Sequence, residues 1–175
     1  HKPDRRQRQM CIRDSKKSLK KMKTFDLIKQ YKIFEKDINK RVLKVLSSGS
    51  YILGQNVKSF EDNARKYLAT RYTVSCNSGT DALVMSLRAL NIGSNDQVIT
   101  TPFTYFATSE AISLVGAIPI FADINPHTFN INPKKIEKLI SKRTKAILSV
   151  NLFGQACELD KVSRIAKKYN LSHIE

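Results

Sequence analysis

The sequence has no long hydrophobic run, few cysteines and no glycine-rich phosphate fingerprint, and each absence removes a class of function. The longest nearly apolar stretch, Ala111 to Ala122, carries Gly116 and Pro119 and falls short of the roughly 20 apolar residues a membrane helix needs. The basic N-terminus is not followed by an apolar core, so no secretory leader is read there. Three cysteines, Cys11, Cys76 and Cys157, are odd in number and widely spaced, with no CxxC pair. They fit a reducing, cytoplasmic setting and offer no metal site. Neither GxxxxGK[ST] nor GxGxxG occurs, which excludes a P-loop and a dinucleotide-binding turn.

What is present is enough for one ordinary domain: 175 residues, 41% of them hydrophobic, with apolar positions recurring in regular blocks. The net charge of +16 is unevenly placed. Residues 1–23 hold ten Lys/Arg against two acids, and the other 152 residues hold 21 against 13, so each part is +8. A basic arm of this kind could bind nucleic acid or an anionic surface. The alternative is that HKPDRRQRQMCIRDS, which lacks periodicity, aromatics and a cap, resembles translated adapter sequence. Met22 is then the better start, with 1–21 as arm and 22–175 as the folded part. In the remainder Lys outnumbers Arg 15 to 6, scattered as on solvated helix faces rather than clustered in one nucleic-acid-reading stripe. Nucleic acid and membrane are therefore not expected partners.

Along the chain the hydrophobic period changes from helical to strand-like. Leu27, Ile28, Tyr31, Phe34, Ile38, Val42, Val45 and Leu46 predict an amphipathic helix stopped by Gly49. Asn56 is expected to cap a second, with Val57, Phe60, Ala64, Tyr67 and Leu68 on one face. Strand-like runs follow at 72–76, 97–101, 118–122, 145–150 and 172–174, separated by helical patterns at 78–90, 104–115, 133–140 and 159–169. Continuous apolar strands alternating with helices predict an α/β fold, a mainly parallel sheet with helices on both faces. The last strand pattern runs to Glu175 with no closing helix, so the chain reads as a fragment truncated at the C-terminus.

In open α/β sheets ligands bind beyond the carboxyl ends of the strands, and three loops expected there have unusual content. In Ser75-Cys76-Asn77-Ser78-Gly79-Thr80-Asp81, the free amides at a helix start, Gly79 and the hydroxyls of Ser78 and Thr80 could cradle a phosphate. The same residues also read as a ligand-free capping box between Ser78 and Asp81. Thr100 to Thr108 carries Phe103, Tyr105 and Phe106, either a wall for a flat ring or two core phenylalanines capped by Tyr105. Asn151 and Gln155, after the 145–150 strand, could hold a polar ligand or satisfy loop backbone. Together the loops suit a flat phosphorylated cofactor, pyridoxal phosphate better than a nucleotide.

The segments ILGQNVKSFE, SGTDAL, VITTPFTYFAT, FADINPHTFNI, TKAILSVNLFGQ and the terminal HIE occur in an order and spacing that resembles the DegT/StrS-type sugar aminotransferases over about residues 22–175. The resemblance implies the large domain of a fold-type-I, pyridoxal 5'-phosphate-dependent enzyme, a homodimer. Its reaction moves an amino group from glutamate or glutamine to a nucleotide-linked keto sugar. By the same resemblance Gly79 and Thr80 hold the cofactor phosphate and Tyr105 stacks on the pyridine ring. Glu175 matches the glutamate preceding the aspartate that pairs with the ring nitrogen. That aspartate and the cofactor-bearing lysine lie further on in the family, and none of the 21 lysines here occupies the lysine's motif.

Transamination needs a lysine to hold the cofactor aldehyde and then shuttle a proton, and a carboxylate to keep the pyridine nitrogen protonated so that the ring is an electron sink. The fragment alone is thus expected to be inactive, with no catalytic residue of its own. Two other readings remain: a basic nucleic-acid-binding or regulatory protein acting through the arm, and a non-catalytic relative that binds a nucleotide sugar.

Overall fold

The computed structural model describes residues 26–175. The basic arm and Met22 lie outside the described residues. Two compact units divide after Asn63.

The described part of the first unit is helical, and its second helix runs on past Asn63 into the second unit. Helix α1 (Leu27–Ser48) starts where the Asp26 side chain accepts the Lys29 N–H at 3.0 Å, and it ends at Gly49 with φ 66°. That left-handed stop is the one the sequence predicts, because glycine enters this region without a Cβ clash. Helix α2 (Gln55–Leu68) corrects the expected cap. Asn56 sits inside the first turn, and it is the Gly54 carbonyl that receives the amides of Val57 (3.0 Å) and Lys58 (3.3 Å). No residue of α1 or α2 is buried, so their apolar faces stay exposed in the described structure.

The second unit is the predicted α/β layer structure. It runs α3 (Gly79–Ala89), β1 (Gln97–Thr100), α4 (Ala107–Leu114), β2 (Ile118–Phe121) and the single turn α5 (Pro133–Ile136), which tightens into a 3-10 turn. Strand β3 (Thr144–Leu148), α6 (Leu159–Lys168) and β4 (Ser172–Ile174) complete it. The strands pair in the order β2-β1-β3-β4, all parallel.

Period-2 alternation distributes the core. Val98, Ala146 and Leu148 face Leu87 of α3 and Ala111 and Ile112 of α4. Ile99 and Ile147 face Ile136 of α5 and Val162 and Ala166 of α6. Every residue of β1 is buried, as expected of a parallel strand covered on both faces.

One predicted strand is absent. Residues 72–76 form no strand of the sheet, and Tyr72 and Val74 are each 78% exposed. A β-branched run supplies the propensity, but a strand exists only where a neighbour takes its backbone hydrogen bonds. The helix expected from Thr104 begins three residues later at Ala107. Pro102 and the Thr101 hydroxyl, which accepts the Phe103 N–H at 3.3 Å, hold the intervening residues in a turn.

Candidate functional site

All four strands end on one edge, and chain connectivity brings the start of α3 to the same edge. Its last turn leads through Gly93 to Asp96 into the amino end of β1, so α3 runs antiparallel to the strands. Leu83 and Val84, in its first two turns, accordingly join the cluster containing Leu148, Val150 and Ile174.

At that start the ligand-free capping reading is realised. Ser78 Oγ accepts the Asp81 N–H at 3.1 Å and donates to Asp81 Oδ2 at 2.8 Å. The Ser78 hydroxyl is therefore committed to the cap. The helical ladder opens with the Ala82 N–H on the Ser78 carbonyl at 3.0 Å, which leaves the Gly79 and Thr80 amides ahead of the first rung. A Cβ added at Gly79 would meet nothing within 4 Å. The fold thus does not require a glycine here. Open space over two helix-start amides fits an anion approaching the backbone, and the half-buried Thr80 can add a hydroxyl. On this test the residues fit a phosphate.

The aromatic loop departs from the core alternative. Phe106 is 72% exposed and Tyr105 81%. Phe103 is half-exposed and rests on Phe129, with ring centroids 5.6 Å apart. Pro102, Phe103, Thr104 and Tyr105 form one wall of a cleft of about 350 Å³ whose other wall is Leu152 and Phe153. The second and third loops singled out in the sequence therefore meet across a cleft.

Of the two amides in the third loop, Asn151 serves the loop itself. Its Oδ1 accepts the Cys157 N–H at 3.0 Å, and its Nδ2 lies 3.5 Å from Glu175 Oε2. Gln155 contributes its backbone carbonyl to the loop, and its side chain is exposed.

Two arrangements escaped sequence reasoning. Buried Asn130 donates from Nδ2 to the Gln155 carbonyl (2.9 Å) and accepts the Leu152 N–H on Oδ1 (3.2 Å), clamping both ends of the Phe153 turn. An asparagine amid the apolar FNI run was the only hint. His173, on β4, bridges Ser149 (Nε2, 2.8 Å) and Ser163 on α6 (Nδ1, 3.1 Å). Burial pushes the His173 ring below its ordinary value, and nearby Glu175 opposes this. Burial likewise raises the Cys157 thiol, against a hydrogen bond with Ser149.

The parallel α/β sheet thus carries helix-start amides and an aromatic cleft at its carboxyl edge, the place where open α/β sheets bind ligands. The family model of the DegT/DnrJ/EryC1/StrS aminotransferases matches residues 32–175, and the chain belongs to that family. It is 42% identical over 150 residues to the UDP-2-acetamido-2-deoxy-3-oxo-D-glucuronate aminotransferase of Pseudomonas aeruginosa, covering 86% of this chain and 42% of that protein. It is 44% identical over 142 residues to the dTDP-3-amino-3,6-dideoxy-alpha-D-galactopyranose transaminase of Aneurinibacillus thermoaerophilus, covering 81% and 39%.

Among solved structures, S. venezuelae DesV in complex with a ketimine intermediate superimposes with a TM-score of 0.83 at 34% identity, over 85% of this chain and 40% of that one. A DegT DnrJ EryC1 StrS aminotransferase from Brucella abortus gives 0.83 at 36%, over 87% and 43%. The chain spans about 40% of the length of the curated relatives it matches. The expected fold-type-I aminotransferase architecture is the one these neighbours share.

Proposed function

We propose that this chain is the N-terminal part of the large domain of a sugar aminotransferase. In this reading the whole protein moves an amino group from glutamate or glutamine to a keto group on a nucleotide-linked sugar, using pyridoxal 5'-phosphate. The match of residues 32–175 to the aminotransferase family carries the reading. The open anion cradle at Gly79 and the exposed Tyr105 beside a cleft support it.

When bound, the cofactor supplies an electron sink for the carbon that gains or loses the amino group. The chain's own residues do the holding. The Gly79 and Thr80 amides and the Thr80 hydroxyl bind the phosphate, with the α3 dipole favouring its charge. Tyr105 covers one face of the ring, setting its plane and excluding water from it. Asn151 steadies the loop beside the carboxyl end of β4 through its bond from the Cys157 N–H. Residues 26–175, the described part of the chain, belong to that domain in this reading, and the enzyme works as a cytoplasmic homodimer.

The test uses the full-length protein with pyridoxal phosphate and glutamate. Conversion of the cofactor to its amine form should be seen by absorbance. An aminated product from a panel of nucleotide-linked keto sugars should be seen by mass spectrometry. A protein that binds the cofactor stoichiometrically yet accepts no amino group from any amino acid would refute the assignment. Sedimentation of the same sample at assay concentration should give a dimer, and a monomer would remove that part of the proposal.

A further inference from the structure

The cleft has a second aromatic wall that the phosphate and stacking roles leave unused. Phe153 is 88% exposed and has φ 55° and ψ 24°, the left-handed region. A bulky aromatic residue is a genuine outlier there, because its Cβ crowds the backbone. Gly154 follows at φ 82°. Core packing does not hold this conformation, since the side chain is in solvent. The clamp from buried Asn130 on Leu152 and Gln155 does. Strain imposed by a buried polar anchor in order to display an aromatic ring is the mark of a site.

The walls also say what enters. The residues lining the cleft (Pro102, Phe103, Thr104, Tyr105, Leu152 and Phe153) include no charged group, and none of Ser78, Gly79 or Thr80 is among them. A volume of about 350 Å³ is at the small end of the range for ligand pockets. Of the groups brought together in the proposed reaction, the cofactor phosphate, the nucleotide diphosphate and the amino-acid donor all carry charge and gain nothing from such walls. The pyranose ring itself bears no charge, whatever substituent it carries, and its C–H face packs on aromatic surface. It must also approach the cofactor, because the amino group crosses between them, and Tyr105 is the wall the two would share.

We propose that Phe153 is a specificity-determining residue that packs against the sugar ring of the nucleotide-linked substrate, opposite Tyr105. This rests on the aminotransferase reading of the site.

The test compares the full-length holoenzyme with Phe153→Asn, which tolerates the left-handed backbone, and Phe153→Tyr, which keeps the ring. Binding of UDP-N-acetylglucosamine and dTDP-glucose is measured by calorimetry, with UDP and dTDP as sugar-free controls. Cofactor affinity and melting temperature are followed on the same samples. In Phe153→Asn, affinity for the sugar nucleotides should fall about tenfold, the loss expected of one aromatic face. Affinity for UDP and dTDP, cofactor affinity and the melting temperature should hold, and Phe153→Tyr should bind like the parent.

Unchanged sugar-nucleotide affinity overturns the proposal. An equal loss for the free nucleotides reassigns the wall to the base, and a loss of cofactor affinity reassigns it to the cofactor ring. A lower melting temperature makes Phe153 a structural residue. If the parent protein binds the cofactor but no sugar nucleotide, the aminotransferase reading itself fails, an outcome distinct from all of these.

Discussion

Asn130→Ala tests the claim that one buried side chain holds the cleft's far wall. Asn130 is 3% exposed and makes two long-range hydrogen bonds, to the Gln155 carbonyl at 2.9 Å and from the Leu152 amide at 3.2 Å. Each such bond contributes about 0.5–1.5 kcal/mol net, and stranding a buried partner raises the loss. Gln155 is exposed and Leu152 half-buried, so water replaces part of what is removed.

The working expectation is a loss of about 1–2 kcal/mol, a melting-temperature drop of about 2–8 °C for a chain of this size. Urea denaturation measures the first quantity and a thermal scan the second. Amide exchange adds a local readout: Leu152 and Gly154 should exchange faster, while Ile147 in β3 should change only as global stability changes. Asn130→Asp keeps the acceptor for Leu152 but turns a charged oxygen toward the Gln155 carbonyl, so it should fare no better. A change below about 0.5 kcal/mol, within the range of ordinary surface substitutions, or an unaltered Leu152 exchange rate would refute the clamp.

Other outcomes follow from the same geometry. Gly79→Ala meets open space, so stability should hold or rise by up to about 1 kcal/mol in a denaturation curve, while a cofactor titration should show weaker phosphate binding. Tyr105→Ala should lower cofactor affinity about tenfold with little change in melting temperature, because the ring is exposed, and Tyr105→Phe should bind normally. Phe103→Ala, half-exposed against Phe129, should cost about 1–2 kcal/mol in urea rather than the 3–5 typical of a fully buried phenylalanine. Burial holds folded His173 below its ordinary 6.5, so the unfolded chain takes up the proton first as pH falls. Stability from this group is therefore complete above that value and lost on acidification, and His173→Gln should flatten the melting-temperature profile between about pH 7 and pH 5.

The sequence by itself determined the layer order of the second unit. Apolar runs of strand length alternate with helical periods, and only a parallel sheet covered on both faces buries them all. It also located α1's stop at Gly49 and the cap at Ser78, because a left-handed glycine and a hydroxyl before a helix act through neighbours in the chain. The open helix start at Gly79 was legible for the same reason, since a helix start is local.

Three things were decided only by tertiary structure. Residues 72–76 have strand propensity, but pairing needs a neighbour that propensity does not supply. Phe103, Tyr105 and Phe106 look equally apolar as letters. Their half-exposed, exposed and exposed positions depend on where β1 ends and what packs there. Phe153's left-handed backbone depends on Asn130, 23 residues earlier, whose hydrogen bonds no periodicity encodes. Local chemistry wrote the elements and the caps, while the cleft exists because distant loops converge on one edge of a sheet.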